Sequence, residues 1–316
     1  MKPSSSGLSP REVSLLVSIR DGKRTGKEIS QNLGVSSPEL TRMVKSLTSK
    51  GLVVSERLGM STSVSISSLK HATYLRRVLS EYSHMRLERI LSLSTLDVLS
   101  CLAASPGQTR ADILSTTGIS PRTLQTVLKR LREIGIVRVK TRGVYELSDR
   151  FAPFGEFAQE FDEYSNQRNA TQFCTDSIMI WQRGREFIIR TKCEKEDADF
   201  KLTAFSVFER FGVPLFLGWQ YYYHPVGKWR GTVDEALLQS LLTRPRDTRE
   251  NTAILMLWEK NGLSRALNRV KKGATRYGLE DDIETIAAYF RDPERNRPPD
   301  FPKIGELNEK LRSDGS

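Results

Sequence analysis

The amino-acid sequence predicts a mainly α-helical chain with small β-hairpins in its front half and an α+β region behind it. Three observations carry this. Residues 25–53 recur at residues 109–137 without a gap, so one helical unit is present twice. Residues 1–150 hold 24 Lys and Arg against 12 Asp and Glu, whereas residues 151–316 hold 25 against 26. The neutral half instead mixes aromatic, extended runs with amphipathic helical ones.

In chain order, the apolar spacing predicts a helix from Pro10 to Arg20, ahead of the first copy. Thr25 caps a short helix bearing Ile29 and Leu33, and Gly34 ends it by taking a positive φ. Ser37 is expected to cap the next helix, with Pro38 preset in its first turn. Leu40, Val44 and Leu47 of that helix share one face, and Gly51 closes it. Leu52 to Val54 starts a strand, Gly59 to Ser63 turns, and Val64 and Ile66 return.

Residues 70–91 read as one long connector helix with Leu75, Val78, Leu79, Tyr82 and Met85 on one face. Such a stripe either packs within the chain or pairs two chains. His71 and His84 read as surface or edge residues without metal spacing. A further apolar helix, Ser94 to Ala104, precedes the second copy. That copy uses Thr109, Gly118 and Ser120-Pro121, then Leu124, Leu128 and Leu131, then Gly135. Its hairpin runs from Ile136 to Lys140 and back from Val144 to Leu147 around Thr141-Arg142-Gly143. Nine of the 29 aligned positions are identical, and they include the caps, the glycines and the apolar positions.

Behind Pro153, Phe151, Phe154, Phe157, Phe161 and Tyr164 form an aromatic helical stripe suited to core packing. Ser177 to Trp181 and Phe187 to Ile189 flank Arg183-Gly184 as a hairpin. Thr203 to Arg210 reads as a short helix closed by Gly212, and Val213 to Leu217 and Trp219 to Tyr223 as extended. Thr232 to Glu235 is a capping sequence for a helix reaching Leu242. Helices follow at about 248–260, 263–277 and 280–290, and the Pro-rich stretch 293–302 introduces a tail.

Helix, then helix-turn-helix, then hairpin is the winged-helix order. The segments TGKEISQNLGVSSPELTRMVKSLTSKGLV and TRADILSTTGISPRTLQTVLKRLREIGIV resemble the MarR/ArsR-like winged-helix regulators of bacteria and archaea, and an archaeal source is expected. The expected division is a winged helix-turn-helix domain at 8–69, a connector helix at 70–92 and a second winged-helix domain at 93–150. An α+β effector or interaction domain at 151–302 and a tail at 303–316 complete it.

The resemblance implies that the second helix of each motif enters the DNA major groove while the hairpin lies beside the backbone. In the second copy the residues available are Arg122, Thr123, Gln125, Thr126, Lys129 and Arg130, with Arg138, Lys140 and Arg142 on the hairpin. Gln pairs bidentately with adenine and Arg with guanine. The first copy is thinner: Glu39, Thr41, Arg42, Lys45 and Ser46 on the helix and Arg57 on the hairpin. The second copy is therefore expected to supply more of the affinity. A solvated helix face and a protein-binding winged helix are the competing readings.

Later in the chain, TAFSVFERFGVPLF, WQYYYHP, TVDEALLQSLL and RDTRENTAILML follow an order similar to the C-terminal part of AbiEi-type antitoxins. That resemblance implies a partner protein, a nucleotidyltransferase toxin, and repression of the chain's own operon. Trp219, Tyr221, Tyr223 and His224 are candidate ligand or partner contacts, with core packing as the alternative. Arg244, Arg246 and Arg249 around Pro245 form either an anion grip or a solvated loop. A homodimer and a protein partner of 151–302 stay open.

Other classes find little support. No apolar run approaches the roughly 20 residues needed to span a bilayer. The polar start MKPSSSG lacks a secretory apolar core, so a cytoplasmic location is expected. The three cysteines fit a reduced compartment, with a Cys174–Cys193 redox pair as the lesser reading. No nucleophile elbow, phosphate loop or metal-ligand spacing is present, so neither enzymatic chemistry nor a metal or other cofactor is expected. Double-stranded DNA is the expected partner of a chain with net charge +11.

Overall fold

The computed structural model describes residues 7–58, 61–105, 107–227, 229–244 and 247–313. Two compact units divide the chain, Met1–Gln167 and Arg168–Ser316.

The first unit opens with α1 (Pro10–Arg20), fixed at its start by a reciprocal cap between Ser9 and Glu12. Thr25 and Glu28 cap α2 (Gly26–Leu33) in the same way, and Gly34 ends it at φ +64°. Helix α3 spans Ser37–Ser49, and its cap is Ser36, not the expected Ser37. The Ser36 hydroxyl accepts from Glu39 N, so the first turn starts one residue earlier. Strands β1 (Val53–Leu58) and β2 (Ser61–Ile66) pair antiparallel with Val53 opposite Ile66. Ser61 to Ser63, expected in the turn, already belong to β2, whereas Gly59 lies outside the described residues.

The expected 70–91 connector helix is two pieces, α4 (Lys70–Glu81) and a single turn α5 (Leu87–Ile90). Tyr82 leaves the helical path at φ −113°. Its ring packs on Phe151 and Phe154, and its hydroxyl donates to Arg150 O at 2.5 Å. Leu75, Val78, Leu79 and Tyr82 are buried in the unit's own core, with Met85 packed against it. That stripe is consumed within the chain and is not a seam between two chains.

The second copy follows as α6 (Ser94–Ala104), β3 (Gln108–Thr109), α7 (Arg110–Thr117) and α8 (Pro121–Glu133). Its hairpin is β4 (Val137–Thr141) and β5 (Val144–Leu147), and β3 completes a sheet ordered β3-β5-β4. The first copy has the same arrangement in reduced form, because Thr25 bridges to Ser63 as Thr109 pairs with Val144. Helix α9 (Ala152–Phe173) then buries Phe154, Phe157 and Phe161 in the first unit's core.

His71 is a correction. It is 2% exposed, its Nε2 lies 3.0 Å from Lys50 O, and its ring stacks on Tyr164 at 4.2 Å. His84 is exposed, as expected.

The second unit carries an antiparallel sheet ordered β6-β7-β9-β8. Its strands are β6 (Ile178–Arg183), β7 (Glu186–Thr191), β8 (Lys201–Leu202) and β9 (Gln220–His224). A run of 3-10 turns, Ala204–Phe211, is closed by Gly212 at φ +80°. The expected strand at 213–217 is absent: only β9 is extended in that stretch. Helices α10 (Val233–Leu242), α11 (Thr248–Lys260), α12 (Leu267–Thr275) and α13 (Glu280–Arg291) supply the apolar side of the core. The expected tail is a further helix, α14 (Ile304–Ser313), because Leu307 is fully buried in that core.

Cys174 and Cys193 form a disulfide with Cα atoms 6.4 Å apart, which corrects the expectation of three reduced thiols. Asp176 beside them accepts from Thr191 Oγ1 and from Lys192 N. Cys101 is buried in the first unit.

Candidate nucleic-acid interface

Helix α8 can present a polar face because Leu124, Val127, Leu128 and Leu131 take the opposite one into the core. Arg122, Gln125, Thr126 and Lys129 are exposed. Thr126 Oγ1 donates to Arg122 O within the helix, and Lys129 Nζ lies 3.9 Å from a Glu133 carboxylate oxygen. Thr123 serves the N-terminus, where its N donates to Ser120 Oγ at 3.1 Å.

Arg130 leaves this face. Its Nη2 donates to Thr95 Oγ1 on α6, and burial together with the nearby Arg89 charge lowers its pKa. Ser46, its match in the first copy and likewise expected on the outer face, also turns inward and donates to Glu12 Oε1 at 2.7 Å. Arg132 is exposed, and with Arg122, Gln125 and Lys129 it continues a row spaced 3, 4 and 3 residues apart. Arg132 was not among the residues expected on that face, although the same helical spacing reaches it.

On the hairpin, Arg138 stands opposite Glu146 and its Nε donates to Glu146 Oε1 at 2.6 Å. Asp149 lies 3.5 Å from the same guanidinium, and Lys140 Nζ lies 3.7 Å from Glu146 Oε2. The register shifts between Val139 and Thr141, a bulge that leaves Lys140 unpaired along the ladder. Two of the three expected hairpin cations are thus partly neutralised by local carboxylates. Arg142 is exposed in the turn between β4 and β5.

In the first copy Thr41 Oγ1 donates to Ser37 O and Arg42 Nε to Pro38 O, so both side chains bend back along α3. Lys45 is exposed, and Arg57 is exposed on β1. Glu39 at the start of α3 accepts from Arg11 and puts a carboxylate where the second copy has Thr123.

The aromatic run of the second unit does not form one site. Tyr221 and Tyr223 are buried on one side of the sheet, while Tyr222 joins Phe173, Phe187 and Phe200 on the other. His224 stacks on Phe187 at 4.7 Å, and burial lowers its pKa. Trp219 is 37% exposed under Arg190, whose guanidinium lies 4.2 Å from the ring centroid. Strand alternation separates residues that adjacency in sequence had grouped.

Tyr223 instead serves a buried charge. Its hydroxyl donates to Glu186 Oε1 at 2.5 Å, Tyr277 donates to the same oxygen at 3.1 Å, and Arg276 Nη2 donates to Oε2 at 2.8 Å. Burial and the Glu186 charge push Tyr277 up to about 12. Beside this cluster a cavity of about 460 Å³ is lined by Trp181, Arg244, Tyr277, Asp282 and Asp300 among others. Arg249 donates to Phe216 O at 2.7 Å, whereas Pro245 and Arg246 lie outside the described residues.

A family of winged helix-turn-helix DNA-binding domains matches residues 91–138, which span α6 to the start of β4. Neither a curated protein nor a solved structure matches the chain. Among the described residues no helix is long and apolar enough to cross a membrane.

Proposed function

We propose that the chain is a sequence-specific, DNA-binding transcriptional regulator in which both copies of the repeat are winged helices. The observation that carries this reading is the exposed row Arg122, Gln125, Lys129 and Arg132 on α8, inside the segment that matches a DNA-binding family. Guanidinium and carboxamide groups on one helix face match the acceptor and donor edges of guanine and adenine in the major groove. Arg142 at the hairpin tip is the backbone contact.

In this reading the first copy adds a weaker grip through Lys45 and Arg57, since Glu39 opposes phosphate approach at the start of α3. The second unit is the sensing or partner-binding part, and its cavity beside Tyr277 is the place for a small ligand.

Mapping bound sites across the source genome with the wild-type chain and with an Arg122→Ala, Gln125→Ala variant tests the reading. Discrete sites sharing a sequence, lost in the variant, support it. Uniform recovery of the genome by both proteins refutes sequence-specific regulation through α8.

A further inference from the structure

Arg244 and Asp282 are opposite charges on the wall of one cavity in the second unit, the cavity of about 460 Å³ beside Tyr277. Arg244 follows α10, and Asp282 lies in the first turn of α13. Among the described residues, neither side chain makes a hydrogen bond or an ion pair with another residue. They sense each other without joining. Loss of hydration raises the Asp282 pKa, and the Arg244 charge opposes the rise.

The backbone holds Arg244 in a strained place. It takes φ +52°, the left-handed conformation that Gly34 and Gly118 supply at the ends of α2 and α7. Its N donates to Leu241 O at 2.9 Å. Strain of this kind gathers at ligand clamps.

Both charged residues are exposed and stand at the mouth of the cavity. Leu242, Ile254, Ile286 and Phe301 are each less than a tenth exposed and form its floor. Trp181 and Tyr277 meet edge to face on the wall, 5.7 Å between ring centroids. Asp300 also lines the cavity, but Asn251 Nδ2 already donates to its Oδ2 at 2.8 Å. The volume falls within the range of small-molecule sites, about 300–1,000 Å³.

A ligand that answers both charges carries one of each sign, close together, ahead of an apolar body. We propose that this cavity binds a free α-amino acid with a large apolar side chain. Its carboxylate lies on Arg244, its ammonium on Asp282 and its side chain on the floor of Leu242, Ile254, Ile286 and Phe301. A purely anionic ligand leaves Asp282 unanswered, and a simple amine leaves Arg244 so. The ligand class is that of the sensing cavity assigned above, and only its effect on DNA rests on that reading.

Titration calorimetry of the full chain without DNA, against L-leucine, L-methionine, L-phenylalanine and L-tryptophan, reads the binding directly. At least one should bind saturably. Glycine, which lacks the apolar body, should bind at least tenfold more weakly. So should the analogues that keep a single head group, phenethylamine and 3-phenylpropionate in the case of phenylalanine. Tenfold is the scale of one charge-assisted hydrogen bond.

Arg244→Gln should weaken the amino acid at least tenfold and leave the amine within about twofold. Asp282→Asn should weaken it as much and spare the carboxylate instead. Arg244→Gly separates a ligand contact from a structural one. It relieves the backbone, so the unfolding temperature should not fall while binding is lost. Saturable binding of none of the four, equal binding of an amino acid and its single-headed analogues, or binding untouched by Arg244→Gln or Asp282→Asn would each overturn the proposal. A bound amino acid that leaves DNA affinity unchanged refutes the sensing reading and leaves the site standing. A chain that binds the amino acid but no DNA refutes the DNA reading alone.

Discussion

Lys50 Nζ donates to Glu12 Oε1 at 2.7 Å, and both side chains are less than a tenth exposed. Ser46 donates to the same oxygen, and Ser9 N donates to Oε2 at 2.7 Å, so one carboxylate joins the start of α1 to the end of α3. Removing one member of such a pair leaves a buried charge uncompensated. Glu12→Gln should cost about 3–5 kcal/mol in urea unfolding, and Glu12→Leu with Lys50→Met should recover most of it. Equal losses in the single and double variants would contradict this view of the pair.

The same groups set the acid response of the first unit. Burial alone would raise the Glu12 pKa, but the hydrogen bonds from Lys50, Ser46 and Ser9 hold it below its ordinary 4.5. Its contribution is present above 4.5 and is lost as pH falls through the lowered folded value. His71 acts earlier, because burial depresses it below 6.5. The unfolded chain then takes up that proton first, so stability complete above 6.5 declines as pH drops toward the folded value. His71→Gln should remove this decline below pH 6.5. His224 titrates in the same direction in the second unit, so the measurement is the difference between chain and variant.

Matched glycines of the two copies should respond unequally to a methyl group. Gly51 and Gly135 both hold a positive φ, +67° and +76°. A Cβ at Gly135 meets nothing within 4 Å, whereas one at Gly51 would lie 2.6 Å from Tyr164 Cζ. Gly135→Ala should cost about 1 kcal/mol of backbone strain, and Gly51→Ala about 3 kcal/mol through the added clash. Thermal unfolding of the two variants measures the difference, and equal costs would refute the contact with Tyr164.

On α8, neighbours in sequence should separate by function. Lys129→Ala should reduce the salt slope of DNA binding by about one, and Arg122→Ala should cost about 1–3 kcal/mol of affinity and relax sequence preference, both without loss of stability. Arg130→Ala should lower the unfolding temperature through its lost bond to Thr95 and leave the slope unchanged. A reduced slope in Arg130→Ala would return that residue to the groove face.

The repeat was legible because its punctuation is chemical: Thr25 and Thr109 cap, and Gly34, Gly51, Gly118 and Gly135 take a φ that side chains avoid. On α8 helical spacing points Arg122, Gln125, Thr126 and Lys129 outward, whereas Arg130, expected with them, turns in and exposed Arg132 was missed. What stayed hidden depends on distant neighbours. No Gly or Pro marks the end of α4, where Phe151 and Phe154 draw the Tyr82 ring out of the helix. The stack that buries His71 comes from Tyr164, far along the chain. Glu146 was visible as an acid, but its place across from Arg138 required the strand register. Aromatic adjacency at 221–224 was misleading because a strand sends neighbours to opposite faces.

DNA recognition through the second copy is read out by a salt series on the chain's own upstream DNA. If about six to ten phosphates are neutralised, affinity should fall at least about a thousandfold between about 50 and 200 mM salt. The slope should shrink in a variant lacking Arg122, Lys129 and Arg132. Absence of binding at every salt concentration, or binding indifferent to salt, would contradict it.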